Sequence, residues 1–525
     1  MTRLPRNAAG VASPLLLLAC TVAPYEPRAI DPELLRTPSP SSTAAGATST
    51  AAGDGGQGTA TGTQVAKIDV AATPVPAPTG PLELATVLRA VGERYPPYLS
   101  ALLERDLASG RLTQALGGFD ANLTAKLGNQ LQGYYEATTL QTLLEQPLAT
   151  GDTIYGGYRI SDGFLPDYDK DRTQDDGQFV LGGRVPLLRD RGFDRRRAGV
   201  KQARIEQQLA EPVIQRARID FVRAASRAYW SWVAAGQRLA VAEELLLLAE
   251  QRVEGLQRGV DRRFVAPIDV VDNERLIAQR RLFVVRAERQ LQQAALELSL
   301  YWRDTTDAPI VPVRDNLPKT PTEPRAATTS VGGDTEAALR QRPELRRLQQ
   351  LTDRVEVDLE LARNQALPNL DLVIEATHSP ANSPYGDIDR SGLFVGGELK
   401  WPLWRRDALG RVEQALTQQS RLQLESRFAR DRIVNEVADA HSALTAAIGQ
   451  LDNSRKNREL AAQMVDAERR AFELGRSDLL RVQLREIQLA DARVAEVEAQ
   501  LAGWVATVDL RAALGVDGAP TPVGP

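Results

Sequence analysis

Apolar residues recur at steps of three and four along one long segment in each half of the chain. They are Leu239, Ala242, Leu246, Ala249, Val253 and Leu256 in the first half, and Ile433, Val437, Ala440, Leu444, Ala447 and Leu451 in the second. A later series at intervals of seven consists of Ile487, Val494, Leu501 and Val508. These heptads predict helical hairpins with a left-handed supercoil. A single helix from Leu403 to Arg470 would be about 100 Å long at 1.5 Å per residue.

Alternation of apolar and polar residues predicts two β-strands in each half. In the second half the apolar positions are Leu370, Leu372, Ile374 and Ala376 in one strand, and Leu393, Val395, Leu399 and Trp401 in the next. In the first half they are Leu123, Ala125 and Leu127 in one strand, and Gly182-Gly183 before Pro186-Leu187 marks the other. A long, acidic, extracellular loop is expected between these two strands, from about Asn129 to Asp176. At about ten residues, each strand can cross a bilayer when tilted.

Four strands in each chain cannot close a barrel on their own. An open sheet edge is not tolerated in lipid, and the smallest single-chain barrels have about eight strands. Two copies would supply eight strands and three copies would supply twelve, and this count does not choose between them. The heptads alone are equally typical of a solvent-exposed coiled coil, so a lipid-anchored periplasmic scaffold or adaptor protein is the alternative interpretation.

The order of elements indicates two internal repeats, because each half has a helix, a strand, a loop, a strand and a long helical hairpin. Residues from about 36 to 80 are mostly Ser, Thr, Ala, Gly and Pro, and they cannot bury enough apolar surface to offset the ordering entropy. We therefore expect a signal peptide at 1–19, a lipid-anchored disordered tether at 20–80, a first repeat at 81–311, a linker at 312–334, a second repeat at 335–515 and a disordered tail at 516–525.

The first twenty residues are typical of an export signal, with Arg3 and Arg6 before an apolar stretch. The segment Leu17-Leu18-Ala19-Cys20 resembles a bacterial lipobox, in which the signal is cut before the cysteine and that cysteine is acylated. Cys20 is the only cysteine of the chain. The alternative is a plain secretory signal that is cut after a small residue such as Ala23, with Cys20 discarded.

Composition narrows the functional classes. The chain has 525 residues, a formal net charge of −4, one cysteine and two histidines. A nucleic-acid-binding protein would carry a strong basic excess, and one cysteine excludes intramolecular disulfides and Cys-rich metal sites. Because there is also no recognisable nucleotide-binding loop, we expect no catalysis, no cofactor and no bound metal.

Four motifs carry a resemblance to a known family. They are Pro368-Asn369-Leu370, Trp401-Pro402-Leu403-Trp404, and the turn segments from Val265 to Asp272 and from Phe472 to Leu480. With the repeated strand and hairpin order, the chain resembles the TolC-like outer-membrane channels of tripartite efflux pumps and type I secretion systems.

The resemblance implies an α+β membrane protein that forms a homotrimer. Three chains would build a twelve-stranded β-barrel, with four strands from each, continued by a long α-helical coiled-coil barrel. It implies a passive exit duct in the cell outer membrane that extends into the periplasm, with lipidated Cys20 as an anchor in outer-membrane lipid. It also implies that a periplasmic adaptor and an inner-membrane transporter open the duct at its periplasmic tip.

In this family the turn segments lie at the tip and hold the aperture closed. Asp269 matches an aspartate that bonds a tyrosine on the other repeat, but Phe472 occupies the tyrosine position and has no hydroxyl. Gly475 keeps the tip glycine of the second repeat, whereas Arg263 stands where the first repeat usually has glycine. The resemblance also implies a tip position for Asp272.

The acidic ring that is common on the inner helix of the second repeat is not kept here. The corresponding positions are Arg481, Gln483, Arg485 and Glu486. We therefore predict that mixed charge pairs hold the aperture closed, with Arg481 or Arg485 next to Glu486 or Asp269 of neighbouring helices. The alternative is that these residues form ordinary solvated helix faces, since exposed ion pairs contribute little.

Overall fold

The described residues of the computed structural model are 80–165, 172–263, 266–319, 321–380 and 391–518. Contacts divide the chain into Met1–Thr73 and Pro74–Pro525, and all described residues belong to the second unit. The expected signal peptide, Cys20 and almost all of the expected tether therefore lie outside the described residues. So do residues 519–525 of the expected tail, while Val516–Gly518 forms a short 3₁₀ helix.

Long helices dominate the described residues. In chain order the helices are α1 Leu84–Arg94, α2 Pro96–Leu102, α3 Glu104–Leu116, α4 Arg195–Asp261, α5 Pro267–Ser299, α6 Val331–Gln341, α7 Pro343–Gln365, α8 Arg406–Glu473 and α9 Leu479–Leu514. Helices α4 and α8 have 67 and 68 residues, so each is about 100 Å long at 1.5 Å per residue. Helix α5 returns along α4, and α9 returns along α8. The two predicted helical hairpins are confirmed.

Local chemistry explains where these helices begin and end. Asp194 accepts a hydrogen bond from the backbone N–H of Arg197 at 2.7 Å, and this cap starts α4. Asp478 caps α9 in the same way through the N–H of Arg481 at 2.8 Å. Such caps satisfy backbone donors that have no partner inside the helix. Helix α5 begins at Pro267, where the missing N–H of proline removes no helical hydrogen bond.

The heptad prediction is confirmed for α8 and needs correction for α9. All six α8 positions of the predicted series, from Ile433 to Leu451, are buried. In α9, Val508 is buried and Leu501 packs against a buried cluster, but Ile487 is 41% exposed, and the series that is buried throughout is Gln483, Ala490, Val497 and Trp504. The buried series begins with a polar residue, Gln483, so apolar spacing alone does not indicate it. Only the packing of α9 against α4 and α8 decides which series faces the chain's own core.

The sheet contains two strands that the sequence analysis did not predict. In the described residues the strands are β1 Asn122–Gln130, β2 Ala137–Pro147, β3 Thr153–Gly163, β4 Gln178–Pro186, β5 Asn369–His378 and β6 Ser391–Lys400. They form one antiparallel sheet in the order β1-β2-β3-β4-β5-β6. The prediction of four strands in each chain is therefore wrong, and so is the prediction of one long loop from Asn129 to Asp176.

The reason for the missed hairpin lies in the local sequence. The Leu143-Leu144 pair interrupts the alternation in β2, and Gly156-Gly157 weakens the apolar pattern of β3. A tight turn joins these strands: the N–H of Leu148 donates to Asp152 O at 2.8 Å, and that of Gly151 donates to Leu148 O at 3.0 Å. Gly151 has φ +97°, which is the left-handed region that favours glycine.

The connections define two ends of the sheet. Strand β1 follows α3 and β5 follows α7, while β4 leads into α4 and β6 leads into α8. One end therefore faces the helices, and the tight turn from Leu148 to Asp152 lies at that end. The connections at the far end are longer, at 131–136, 164–177 and 379–390. Short turns on the periplasmic side and longer loops outside are typical of outer-membrane barrels.

The main core lies between the two halves of the chain. Trp232 of α4 is fully buried among residues of α1, α4, α5 and α9. Trp230 of α4 and Trp504 of α9 stack with ring centroids 4.3 Å apart. The indole N–H of Trp504 donates to Thr322 O at 2.7 Å, so the predicted linker packs against this core. No helix among the described residues is both long enough and apolar enough to cross a membrane.

Candidate functional site

One face of the sheet is apolar across all of its described strands. Residues that pair directly in an antiparallel sheet lie on the same face, and the pairs Leu123–Leu144, Gly156–Leu181 and Ile374–Val395 extend this face from β1 to β6. Its large side chains include Leu127, Leu140, Ile154, Ile160, Phe179, Leu372, Leu393 and Leu399. Leu127 is 75% exposed and Leu393 is 73% exposed. An exposed apolar surface of this extent marks a membrane or protein contact.

The opposite face carries most of the polar side chains. They include Thr124, Lys126, Gln141, Glu145, Arg159, Gln178, Arg184, Asp371, Glu375, Glu398 and Lys400. Arg159 of β3 donates to Gln178 at 2.8 Å and to Glu375 at 3.2 Å. The hydroxyl of Tyr155 also donates to Glu375, at 2.9 Å. This network links β3 to β5 across β4, so the polar face is bound together over three strands.

Gly182 makes this bridge possible. It lies in β4 between the strands that the network joins, and a Cβ at this position would lie 2.4 Å from the Tyr155 ring. No side chain fits in that space without moving the ring. The glycine therefore allows Tyr155 to cross β4 and reach Glu375.

Aromatic residues lie at both ends of the sheet. At the far end, Phe164 contacts Tyr134 and Tyr135 with ring centroids 5.5 and 5.4 Å apart. At the helix end, Trp401 and Trp404 follow β6 and are 51% and 74% exposed. Tyrosine and tryptophan are enriched where protein meets the two membrane–water interfaces. The strands between these aromatic residues have 9 to 11 residues, which is long enough to cross a bilayer when tilted.

A second site lies near the ends of the helical hairpins that are remote from the sheet. Glu486 of α9 is buried, and its carboxylate contacts three arginines from three other helices. Arg252 of α4 donates to it at 2.5 Å, Arg469 of α8 at 3.0 Å and Arg280 of α5 at 3.4 Å. We call these four residues the tip cluster. Glu486 is seven residues into α9, which is about 10 Å from the helix start.

The tip cluster changes the acidity of its members. Burial alone would raise the pKa of Glu486, but the hydrogen bonds and positive charges of Arg252 and Arg469 outweigh it and hold that pKa below its usual value. Burial lowers the pKa of Arg280, while Glu486 acts in the opposite direction. Glu486 is therefore ionised at neutral pH and joins both helical hairpins at one point.

The partners of Glu486 differ from those that the sequence analysis predicted. Arg481 pairs instead with Asp478 at 3.6 Å, and both side chains are mostly exposed. Arg485 donates to Gln488 at 2.9 Å and lies 3.9 Å from Glu468. These are contacts along α9 and between α9 and α8. The sequence could not identify these arginine partners, because Arg252 and Arg280 come from helices 234 and 206 positions away and Arg469 from the other arm of the same hairpin.

The remaining predicted tip residues lie at the helix ends. Asp269 accepts from the N–H of Ala266 at 3.3 Å in the first turn of α5, and Asp272 accepts from Arg275 at 3.0 Å. Phe472 is half-buried in the last turn of α8, and its carbonyl accepts from Gly475 N at 2.9 Å. Gln483 is buried on the same helix as Glu486.

Arg263 and Gly475 occupy equivalent backbone conformations at the ends of α4 and α8. Their φ angles are +61° and +68°. The first turn thus requires the left-handed conformation that glycine adopts freely, and Arg263 adopts it despite its side chain.

Apolar side chains at the tip are not covered by the rest of the described chain. Ile268 and Val271 of α5 are 67% and 57% exposed, and Leu480 and Leu484 of α9 are 69% and 51% exposed. Within the described ranges, no group of three or more His, Cys, Asp or Glu side chains could hold a metal ion. Exposed apolar side chains grouped in this way are typical of surfaces that contact other proteins.

Comparisons with known proteins agree with this geometry. Residues 335–516 match the family model described as outer membrane efflux protein, and no curated protein sequence matches the chain. A membrane protein from Pseudomonas aeruginosa is 18% identical, with a TM-score of 0.61 over 83% of this chain and 91% of that one.

Two further solved structures have the same fold. The outer membrane protein VceC from Vibrio cholerae is 16% identical, with a TM-score of 0.59 over 82% of this chain and 96% of its own. The open MtrE outer membrane channel of Neisseria gonorrhoeae is also 16% identical, with a TM-score of 0.59 over 82% and 88%. The chain has the fold of these outer-membrane proteins, and the predicted resemblance to TolC-like channels is confirmed.

Proposed function

We propose that this chain is a passive exit duct in the outer membrane of a double-membraned bacterium. Three copies form a β-barrel in the membrane, continued by a tunnel of helices through the periplasm. The observation that carries the proposal is a sheet with one apolar and one polar face, joined directly to helices of about 100 Å. The fold shared with outer-membrane channels supports it.

The two free edges of the sheet support assembly from more than one copy. Strands β1 and β6 are the two edges of the sheet formed by the described residues. In lipid an unpaired edge leaves backbone groups without hydrogen bonds, and single-chain barrels have at least about eight strands. The edges therefore pair with other copies of the chain.

The duct works with two partner proteins: a periplasmic adaptor, and an inner-membrane transporter that supplies the energy of a tripartite efflux pump or type I secretion system. The exposed apolar residues at the tip, such as Ile268 and Leu480, support a protein partner there. Neither catalysis nor a cofactor is needed, because the duct only conducts what the transporter delivers.

The aperture is held closed by charge pairs between neighbouring copies. Arg481 is exposed and its pair with Asp478 is weakly constrained, so its guanidinium is free to reach an acidic group such as Asp269 of another copy. Replacing Arg481 and Arg485 with alanine together should raise the conductance measured in planar bilayers. Unchanged conductance would show that the two arginines belong to ordinary solvated helix faces.

Cys20 carries the lipid that anchors the expected tether to the outer membrane. Cells grown with radiolabelled palmitate should incorporate label into the wild-type chain and not into Cys20→Ser. A labelled C20S variant, or an unlabelled wild-type chain, would contradict the anchor and favour a plain secretory signal.

Purified outer membranes test the main proposal. The chain should migrate as a trimer in gel electrophoresis without heating, and as a monomer after heating. The trimer should conduct ions in planar bilayers. A chain that is monomeric and water-soluble after removal of its acyl group would instead be a lipid-anchored periplasmic scaffold.

A further inference from the structure

The hairpin formed by β2 and β3 lies inside the sheet and not at its edge. β1 pairs with β2 along its whole length, from Asn122–Glu145 to Gln130–Ala137. β3 in turn pairs with β4, from Thr153–Arg184 to Arg159–Gln178. The hairpin therefore separates β1 from β4, which are consecutive strands in the four-strand arrangement predicted from the sequence.

The apolar and polar faces of the sheet continue through β2 and β3, because paired residues of neighbouring strands have the same character on each face. On the apolar face, Leu140 pairs with Leu127 of β1, and Tyr158 pairs with Phe179 of β4. On the polar face, Arg159 contacts Glu375 of β5 at 3.2 Å. A hairpin folded over the sheet as a lid would not share both faces with its neighbours. β2 and β3 are therefore part of the same wall.

The hairpin also extends over the same distance as the other strands, from the helix end of the sheet to its far end. Its turn is fixed at the helix end, where Asp152 contacts Arg191 at 3.1 Å. Gln146, at the end of β2, donates to Phe119 O at 2.7 Å, next to the start of β1. Both strands have 11 residues, so they cross the full apolar band.

Widths of the sheet and of the helical layer support the same arrangement. Next to the sheet, α3, α4, α7 and α8 lie side by side in that order. At 8–10 Å for each helix, they occupy about 32–40 Å of perimeter. With about 4.8 Å between strands and a tilt of about 40°, each strand takes about 6.3 Å of perimeter, so four strands would occupy about 25 Å and six about 38 Å. The described strands thus match the width of the helices below them.

The edge strands fit a second copy of this chain. β1 runs away from the helices and β6 runs towards them, so β1 of one copy lies antiparallel to β6 of the next. The two strands have 9 and 10 residues. Both have an apolar face, at Leu123 and Leu127 in β1 and at Leu393 and Leu399 in β6. Pairing of these edges continues the apolar band around the barrel.

We propose that every copy contributes its six described strands to the barrel, so that three copies close an eighteen-stranded wall. The number of copies rests on the proposed function, and the contribution of each copy rests on the sheet. With the strand spacing and tilt used above, twelve strands give a barrel about 24 Å in diameter and eighteen give about 36 Å. A barrel of the larger size is no narrower than the tunnel that the helices form. It therefore admits bulkier cargo than a twelve-stranded barrel does.

Electron cryo-microscopy of the full-length protein in lipid nanodiscs tests the strand number directly. The expected view down the symmetry axis is three copies with eighteen strands. Three copies with twelve strands, and β2–β3 outside the wall, would overturn this inference and leave the proposed function intact. Two copies with twelve strands would overturn the trimer but keep six strands for each copy. An unclosed sheet would overturn both proposals.

Cysteine labelling in outer membranes tests whether the hairpin lies in the wall. Gln141→Cys, on the polar face of β2, should react with a water-soluble maleimide on the order of tenfold faster than Leu140→Cys, on the apolar face. Leu181→Cys and Arg184→Cys give the matched pair in β4, and the parent chain gives the background of Cys20. Equal rates in β2 alone would overturn the inference. Equal rates in both pairs would contradict the proposed membrane sheet.

Discussion

Glu486 of α9 and Arg252 of α4 form a buried ion pair 2.5 Å long. This contact joins the helical hairpin of the second half of the chain to that of the first. Arg280 of α5 and Arg469 of α8 contact the same carboxylate, so all four long helices meet at one acidic side chain. We expect the charge of Glu486 to affect how firmly the tip is held.

Replacement of Glu486 with glutamine should loosen the tip. Glutamine keeps the shape of the side chain but removes the negative charge, and three arginines are left without their counter-ion. Breaking a buried ion pair costs about 3–5 kcal/mol. We expect faster amide hydrogen exchange in the tip segments of α4, α5, α8 and α9 and a higher conductance in planar bilayers.

Glu254→Gln is the matched control for this change. Glu254 lies on α4 near Arg252, but its side chain is 82% exposed and, among the residues that the structure describes, forms an ion pair only with Arg258, at 3.7 Å. Exposed pairs of this kind contribute at most about 1 kcal/mol. If E254Q and E486Q have equal effects on exchange, the tip cluster does not hold the helices together.

The tip cluster should also make stability depend on pH. The pKa of Glu486 is lowered in the folded chain, so the folded state favours the ionised form more than the unfolded state does. The stabilisation is therefore complete above the unfolded pKa of about 4.3 and is lost as the pH falls through the lower folded pKa.

Apparent melting temperatures of the detergent-purified protein measure this dependence. The difference between the wild type and Glu486→Gln should be large at neutral pH and should shrink as the pH falls below about 4.3. Other carboxylates titrate in both proteins and cancel in the comparison. A difference that stays constant on acidification would contradict the assignment.

The sequence allowed the heptads of α8 and the strands β1, β5 and β6 to be predicted, because their periodicity is local, and Gly182-Gly183 before Pro186-Leu187 located β4. It did not reveal β2 and β3, since Leu143-Leu144 and Gly156-Gly157 interrupt the alternation that identifies strands. The better signal was the spacing of Ile154, Tyr158 and Ile160, which are β-branched or aromatic residues at even positions.

The sequence indicated where the tip lies but not which of its side chains contact one another. Turn residues such as Gly475 identify where the hairpins reverse, and the structure keeps them at the helix ends. The burial of Glu486 was not predicted, because the predicted heptads of α9 place Ile487 in the core, whereas the structure buries the series that begins at Gln483. Its partners lie 17, 206 and 234 positions away along the chain.

The two tip turns should respond in opposite ways to substitution. Gly475→Ala places a side chain in the left-handed region, at φ +68°, and should destabilise the turn by about 1–2 kcal/mol. Arg263→Gly removes the side chain from a residue in the same conformation, at φ +61°, and should stabilise the first turn because the steric cost is lost. Hydrogen exchange in each turn, measured separately, checks both directions.

Gly255→Ala serves as the control for Gly475→Ala. Gly255 lies within α4 and has open space around its Cβ position. Alanine should therefore stabilise the helix by about 0.5–1 kcal/mol. Slower exchange in both G255A and G475A would show that the second turn does not need a left-handed residue.

Adjacent residues of β2 should differ sharply in their tolerance of charge. Leu140 lies on the apolar face and Gln141 on the polar face. Arginine on the lipid face of a barrel costs about 2–4 kcal/mol near the bilayer midplane. Leu140→Arg should therefore reduce the amount of heat-sensitive oligomer recovered from outer membranes, whereas Gln141→Arg should leave it near the wild-type level. If L140R assembles as well as Q141R, Leu140 does not face lipid, and the apolar side of the sheet has another contact.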